Sequence, residues 1–204
     1  MTTFLLVRHG AHDWLGRGFA GRLPDVHLNA EGREQAQALV QRLAGFPVEA
    51  IYSSPQPRTR QTAVPVAQAR GLPVAIEPDF DEIDFGAWTG QTFEQVRAAG
   101  AAWQQWVDRR GSAQPPGGER FAEVPQRALG ALHRLVRKHP HAHVLVVSHG
   151  DVLKAVIASV LGMSLDHLER FDIAPASLSV LGMGEDWARV ELLNATEAPA
   201  QRPG

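Results

Sequence analysis

Short apolar runs alternate along the chain with stretches of helical periodicity. Phe4 to Arg8 (FLLVR) and Val144 to Ser148 (VLVVS) are apolar at every position up to a polar last residue. That is the pattern of central strands covered on both faces. Ala50 to Ser53, Val74 to Glu77, Ser177 to Gly182 and Arg189 to Leu193 are the other predicted strands. Between them, Ala36, Leu39, Val40 and Leu43 follow i, i+3, i+4, i+7 spacing, and Asn29 is placed to cap that helix. Ser54 followed by Pro55 predicts a second helix running to about Gly71, with Pro65 kinking it or weakening one turn. Phe121, Val124, Ala128, Leu132 and Leu135 trace one face of a third. Asp151 to Leu161 is apolar nearly all round, which predicts a buried helix ended by Gly162. Strands alternating with helices imply a three-layer α/β domain.

Two stretches fit neither period. Ala11 to His27 is rich in Gly and Arg and reads as a loop. Gly90 to Gly118 carries Trp103 and Trp106 and ends in Gln114-Pro115-Pro116-Gly117-Gly118, a helical excursion followed by a turn. Segments of this length are often lids or binding loops. Residues 1–196 read as one domain, and 197–204, made of Ala, Pro, Gly and Gln among others, as a frayed tail.

The chain has 204 residues, 44% of them hydrophobic and 21% charged, ordinary values for a soluble domain with a full core. A net charge of −2 supplies no global field for nucleic acid or an anionic membrane, so any attraction for phosphate must be local. The absence of cysteine excludes disulfides, thiolate catalysis and zinc-thiolate sites. No apolar run approaches the ~20 residues of a membrane span, and the N-terminus lacks the profile of a signal peptide. A cytoplasmic protein with neither nucleic-acid nor membrane partners is expected; its oligomeric state is not legible.

The chemistry concentrates where the two apolar runs end. The first closes in Arg8-His9-Gly10, the second in Ser148-His149-Gly150-Asp151. A buried strand stopping at His-Gly delivers an imidazole to the carboxyl edge of the sheet, where open α/β folds bind ligands. Two imidazoles and a fixed guanidinium point to an anionic substrate, a phosphate ester. Phosphoryl transfer needs cations around three equatorial oxygens, a nucleophile on one side and a proton for the leaving oxygen on the other. Arginine forks suit the equator. A histidine kept neutral by nearby arginines suits the attack, and a carboxylic acid of raised pKa suits the proton. Arg58 and Arg60 lie in the first turn of a predicted helix, where a cation opposes the dipole unless an anion sits beside it; Arg60 reads as a solvated surface residue. Phe80 to Gly90 crowds Asp81, Glu82 and Asp84 into an apolar stretch, and composition does not choose among them. Trp14, Phe19, Trp88, Trp103 and Trp106 could line a pocket or belong to the core. A metallohydrolase reading would use His9, His12, Asp13, His149 and Asp151, while the run His139-Pro-His141-Ala-His143 reads as a polar turn before a strand.

These pieces, in this order, resemble the histidine phosphatase superfamily, the phosphoglycerate mutase-like clan, from Leu5 to about Leu181. The resemblance implies a three-layer α/β/α sandwich around a mostly parallel sheet. It also implies a metal-independent phosphomonoester hydrolase without a cofactor, acting through a phosphohistidine on a small phosphorylated metabolite. Arg-His-Gly at 8–10 makes His9 the implied nucleophile. Ser-Pro-x-x-Arg-x-x-x-Thr-Ala at 54–63 makes Arg58 the second phosphate arginine beside Arg8. Glu-x-x-x-Gly followed by Trp-x-Gly at 82–90 selects Glu82 as proton donor, and Ser-His-Gly adds His149 as a protonated phosphate ligand. The sequence departs from the family where Glu-Thr and an Asn usually follow the first motif: Ala11, His12 and Leu15 stand there. His12 or a backbone N–H between Phe19 and Gly21 would supply the missing donor. Asp81 stands where many members have Arg or another residue, and its charge would push Glu82 further towards its protonated form. The short excursion ending in Pro-Pro-Gly-Gly-Glu looks like the small phosphatases rather than the mutases, although paired arginines such as Arg109 and Arg110 occur in the mutases too. A phosphotransferase of the mutase type, or a binding protein with weak chemistry, is the alternative reading.

Overall fold

The two continuously apolar runs lie side by side in the middle of one sheet. The computed structural model describes residues 1–98 and 100–197, so all but the first residue of the expected tail falls outside the described residues. Its strands are β1 (Thr2–Arg8), β2 (Val48–Ser53), β3 (Val74–Ile76), β4 (His143–Ser148), β5 (Leu178–Met183) and β6 (Ala188–Ala195), in the order β3-β2-β4-β1-β5-β6. The first four are parallel; β5 adds antiparallel to β1, and β6 antiparallel to β5. After β1 the chain moves out to β2 and β3 and returns to insert β4 between β1 and β2, and ligands collect beyond the carboxyl ends at such reversals.

Helices α1 (Ala30–Arg42), α2 (Pro57–Arg70), α3 (Phe93–Arg97), α4 (Ala101–Asp108), α5 (Glu123–Lys138) and α6 (Gly150–Val160) cover both faces. Side chains alternate across a strand. Leu5 and Val7 pack with Leu39, Leu43, Ala63 and Val66 of the α1–α2 layer, whereas Phe4 and Leu6 pack with Leu132, Val152 and Val156 of the α5–α6 layer. Both faces are therefore dry, which is why β1 and β4 are apolar without interruption. The expected α/β/α sandwich with a mostly parallel sheet is the observed fold.

Local signals were honoured unevenly. Asn29 caps α1, its side chain accepting the Gly32 N–H at 2.9 Å, and Gly162 turns the chain out of α6 at φ +65°. The second helix begins later than the Ser54-Pro55 pair predicts: Pro57 is its first residue, Gln56 precedes it without a side-chain cap, and the Ser54 hydroxyl is used elsewhere. The helix also continues through Pro65, because Arg58, Thr59, Thr62, Ala63, Val66 and Ala67 are all buried and tertiary packing outweighs the lost backbone bond. The excursion forms α3 and α4, and it carries Trp106 into a ring cluster with Phe19, Phe85, Trp88 and Phe121. Among the described residues no helix is long and apolar enough to cross a membrane.

Candidate active site

Register brings the two His-Gly corners together. Arg8 pairs with Ser148 across β1 and β4, and the His9 N–H donates to the Ser148 carbonyl at 2.9 Å, so both histidines leave the sheet at one level. Their ring centroids are 5.2 Å apart. The glycines that follow make room for different neighbours. A Cβ on Gly10 would lie 2.6 Å from the Gly32 carbonyl oxygen, so this glycine lets the loop press against α1. A Cβ on Gly150 would lie 3.2 Å from the Arg8 guanidinium carbon, so this one clears space for the arginine.

The His9 tautomer is set by its own corner. Its Nδ1 faces the Gly10 carbonyl at 2.9 Å, and a carbonyl only accepts. The proton therefore sits on Nδ1, and the lone pair on Nε2 is free. Burial, then Arg58 and Arg8, hold the ring well below the usual imidazole pKa, so it stays neutral.

Arg58 enters from the first turn of α2 and is fully buried. One Nη2 donates to the Gly21 carbonyl at 2.7 Å and faces His149 Nδ1 at 3.2 Å. Gly21 thus anchors Arg58 through its carbonyl while it lines the cleft. Arg8 donates from Nη1 to the Ile173 carbonyl at 2.7 Å. The remaining Arg8 Nε, Arg58 Nε and Arg58 Nη1 have no partner; among the described residues Ser177 Oγ is the other buried side-chain atom in that condition. Orphaned buried donors are rare and costly, and here three belong to the two guanidinium groups beside His9.

The carboxylate ambiguity of 81–84 resolves by direction. Glu82 alone of the three lines the cleft, with Oε2 at 3.5 Å from His149 Nδ1 and 3.9 Å from Arg58 Nη2. Burial, then the charge of Asp151, push its carboxyl up to about 7. Asp81 is not the cause: its carboxylate is taken up by the Glu82 N–H at 2.8 Å, Gln56 Nε2 at 2.9 Å and the Ser54 hydroxyl at 3.2 Å. Asp84 accepts the Gly86 N–H and holds a turn.

His149 is hydrogen-bonded through both ring nitrogens. Its Nδ1 accepts from Arg58, and its Nε2 faces Ser54 Oγ at 2.7 Å, which itself donates on to Asp81. Burial, then Arg58, hold the ring well below its ordinary pKa, so in the unliganded site it is neutral. The sequence predicts Ser54 as a helix cap; its place one residue beyond the β2 strand is the signal that it also faces the site.

His12 is buried with its ring centroid 4.9 Å from that of His9. Its Nδ1 accepts the Trp14 N–H at 3.2 Å, which leaves the proton on Nε2. Burial, then Arg58 and Arg8, bring its pKa down to about 4. The cleft above these groups encloses about 360 Å³; Trp14, Phe19, Trp103 and Trp106 form part of its wall, while Trp88 belongs to the core. Arg60 is exposed, as expected.

The metal-ligand set offered by the sequence does not assemble, since Asp13 turns to Asn29 and Asp151 to Arg110. His9, Glu82 and His149 do converge, with ligand atoms within 4.8 Å of one another. The Arg58 guanidinium already stands among them, however, and its charge opposes a second cation.

Comparison with known proteins agrees with this architecture. The chain is 34% identical over 197 residues to phosphoserine phosphatase 1 of Hydrogenobacter thermophilus, covering 96% of this chain and 93% of that one. It is 31% identical to the adenosylcobalamin/alpha-ribazole phosphatase of Escherichia coli, over 93% and 94% of the two chains. The solved structure of Bacillus stearothermophilus YhfR superposes with a TM-score of 0.90 at 31% identity, covering 96% of this chain and 98% of that one. The sequence pattern of the histidine phosphatase superfamily (branch 1) matches residues 4–196; the chain belongs to that superfamily and is a phosphoric monoester hydrolase.

Proposed function

We propose that the protein hydrolyses a small phosphorylated metabolite in two steps, through a phosphohistidine on His9 and without a metal. His9 Nε2 attacks phosphorus in line. The bond to the ester oxygen breaks as Glu82 gives that oxygen its proton, so the alcohol leaves neutral. Water then attacks the phosphohistidine, Glu82 takes a proton from it, the P–N bond breaks, and inorganic phosphate departs. Arg8 and Arg58 hold the equatorial oxygens. His149, neutral at rest, gains its proton when the dianion offsets the field of Arg58, and Asp81 steadies the charge through the Ser54 hydroxyl. His12 Nε2–H supplies the neutral donor that the missing Asn would have given, and Gly21 keeps Arg58 in place. The cytoplasmic setting expected from the sequence belongs to the same reading.

The observation that carries the proposal is the set of three unpartnered guanidinium nitrogens beside a neutral imidazole with a free Nε2. Such a set suits a tetrahedral oxyanion. Rapid quenching during turnover of a phosphomonoester is expected to trap an acid-labile, base-stable phosphoprotein that His9→Ala does not form. Label persisting in that variant would remove His9 from the role. Activity is expected to survive exhaustive chelation; a loss restored by a divalent cation would overturn the metal-independent mechanism.

A further inference from the structure

The Glu82 carboxyl is tied to the rest of the molecule through one peptide group. Its Oε1 accepts the Ile83 N–H at 3.0 Å, while Oε2 faces His149 and Arg58. The other edge of that same peptide, the Glu82 carbonyl, accepts Arg22 Nε at 2.8 Å and Arg127 Nη2 at 3.4 Å. The peptide is planar and trans, so its C=O and N–H point opposite ways. Whatever holds the carbonyl therefore also aims the N–H, and with it the carboxyl. Asp81 to Phe85 belongs to no helix or strand, so this backbone depends on outside partners.

Arg127 reaches the segment from α5 with all of its guanidinium nitrogens in use. Nε and Nη2 fork onto the two oxygens of Glu119 at 2.6 and 3.1 Å, and Nη1 donates to the Asp79 carbonyl at 2.7 Å. Glu119 in turn accepts the Asp84 N–H at 3.3 Å and Arg22 Nη2 at 3.4 Å. Arg22 also lies 3.5 Å from Asp81 Oδ2. The Arg127 and Glu119 side chains are 16% and 12% exposed, so this bidentate pair is screened from water and stronger than a surface one. None of the three lines the cleft. A pair that served only to fasten α5 would need the Glu119 fork alone. Here the further bonds go to the backbone on either side of the acid, at residues 79, 82 and 84.

We propose that Arg127, braced by Glu119 and joined by Arg22, is a positioning residue for the proton donor: the guanidinium groups hold the 82–83 peptide, and the peptide holds the carboxyl. The Ile83 N–H occupies Oε1, so the hydrogen of the protonated carboxyl rests on Oε2, the oxygen nearest His149 and Arg58. A proton donor acts only within hydrogen-bond reach of the leaving oxygen, and a misplacement of about 1 Å costs up to about 10²-fold. The inference rests on the role of Glu82 stated above and names what aims it.

The test is the dependence of kcat/KM on the leaving group, read with p-nitrophenyl phosphate, phenyl phosphate and glycerol 3-phosphate. Arg127→Lys removes the fork and keeps the charge that, after burial, Arg58 and His9, helps to hold His149 neutral. Its kcat/KM is expected to fall about tenfold or more for glycerol 3-phosphate and less than about threefold for p-nitrophenyl phosphate, with phenyl phosphate between. Inhibition by inorganic phosphate, which needs no acid, is expected to stay within about twofold. In a Glu82→Gln background the same substitution is expected to move each of the three rates by less than about twofold, because nothing is left to position. Arg22→Met, with a side chain 38% exposed, is expected to give the same leaving-group signature at smaller size, and it alone decides if Arg127→Lys does not fold. A loss equal across the three esters would overturn the proposal, as would a full further loss in the Glu82→Gln background; either outcome leaves Arg127 a structural ion pair. Should Glu82→Gln by itself lower the three esters equally, the fault lies with the acid assignment on which the inference rests.

Discussion

The floor and the rim of the cleft are built on opposite electrostatic plans. The floor is dry and under-satisfied: His9, His149 and Arg58 are buried, and three guanidinium nitrogens face no partner. The rim is crowded with charges that already pair, Arg110 with Asp151 and Glu169, Lys154 with Glu169 and Asp172. An under-satisfied site attracts one ligand shape strongly. A satisfied one admits a ligand only by exchange, so it can discriminate without binding tightly. The floor therefore suits the phosphoryl group common to every substrate of such an enzyme, and the rim suits whatever distinguishes one ester from another. Substitutions in the floor should depress all substrates together, whereas substitutions in the rim should reorder them.

The sharpest test of the floor is Arg58→Lys, which keeps a charge but loses the fork and the orphaned nitrogens. Steady-state kinetics are expected to show kcat/KM falling about 10³-fold, by the same factor for aryl and alkyl phosphates. A factor that depends strongly on the leaving group would blur the division. Glu82→Gln comes next. A carboxyl held at about 7 is protonated below that pH and loses its proton as pH rises. Hydrolysis of an alkyl phosphate should therefore decline above about pH 7. Glu82→Gln should remove that alkaline limb and cost about 10²–10³-fold with alkyl esters, much less with p-nitrophenyl phosphate, whose weakly basic phenolate leaves without a proton. An alkaline limb that survives in the variant would assign the proton to another group.

Smaller effects probe the boundary between the two regions. His12→Ala should weaken inorganic phosphate binding and lower kcat/KM about tenfold, with rescue by His12→Gln, which restores an N–H donor. Because His12 is held at about 4, this contribution should stay flat from pH 5 to 8; a contribution that titrates near 6.5 would mean the ring is charged. Smallest of all, Asp151→Asn should move the alkaline limb to lower pH, since Asp151 is the second cause, after burial, of the raised Glu82 pKa. The pH profile of the alkyl ester reads that shift directly.

The central strands were legible because a run such as Leu5-Leu6-Val7 is apolar on both alternating faces, and only a strand covered twice tolerates that. The Asn29 cap and the Gly162 stop were legible because each acts within one helical turn. His9 and His149 were legible as a pair because each ends such a run. Ser54-Pro55 misled for the opposite reason. A capping signal is local, and the serine's better partners, His149 and Asp81, stand 95 and 27 residues away in sequence.

By itself, then, the order of apolar and polar residues determined the layers, the central strands and the two corners from which the site rises. Short-range chemistry decides those features, and it is written in neighbouring positions. Only the tertiary structure decided that Glu82 rather than Asp81 or Asp84 faces the cleft, that His149 rests neutral between Arg58 and Ser54, and that Glu169 bridges Arg110 and Lys154. These depend on direction and on desolvation at distances of a few ångströms, and both come into being only when remote parts of the chain close around the same small volume.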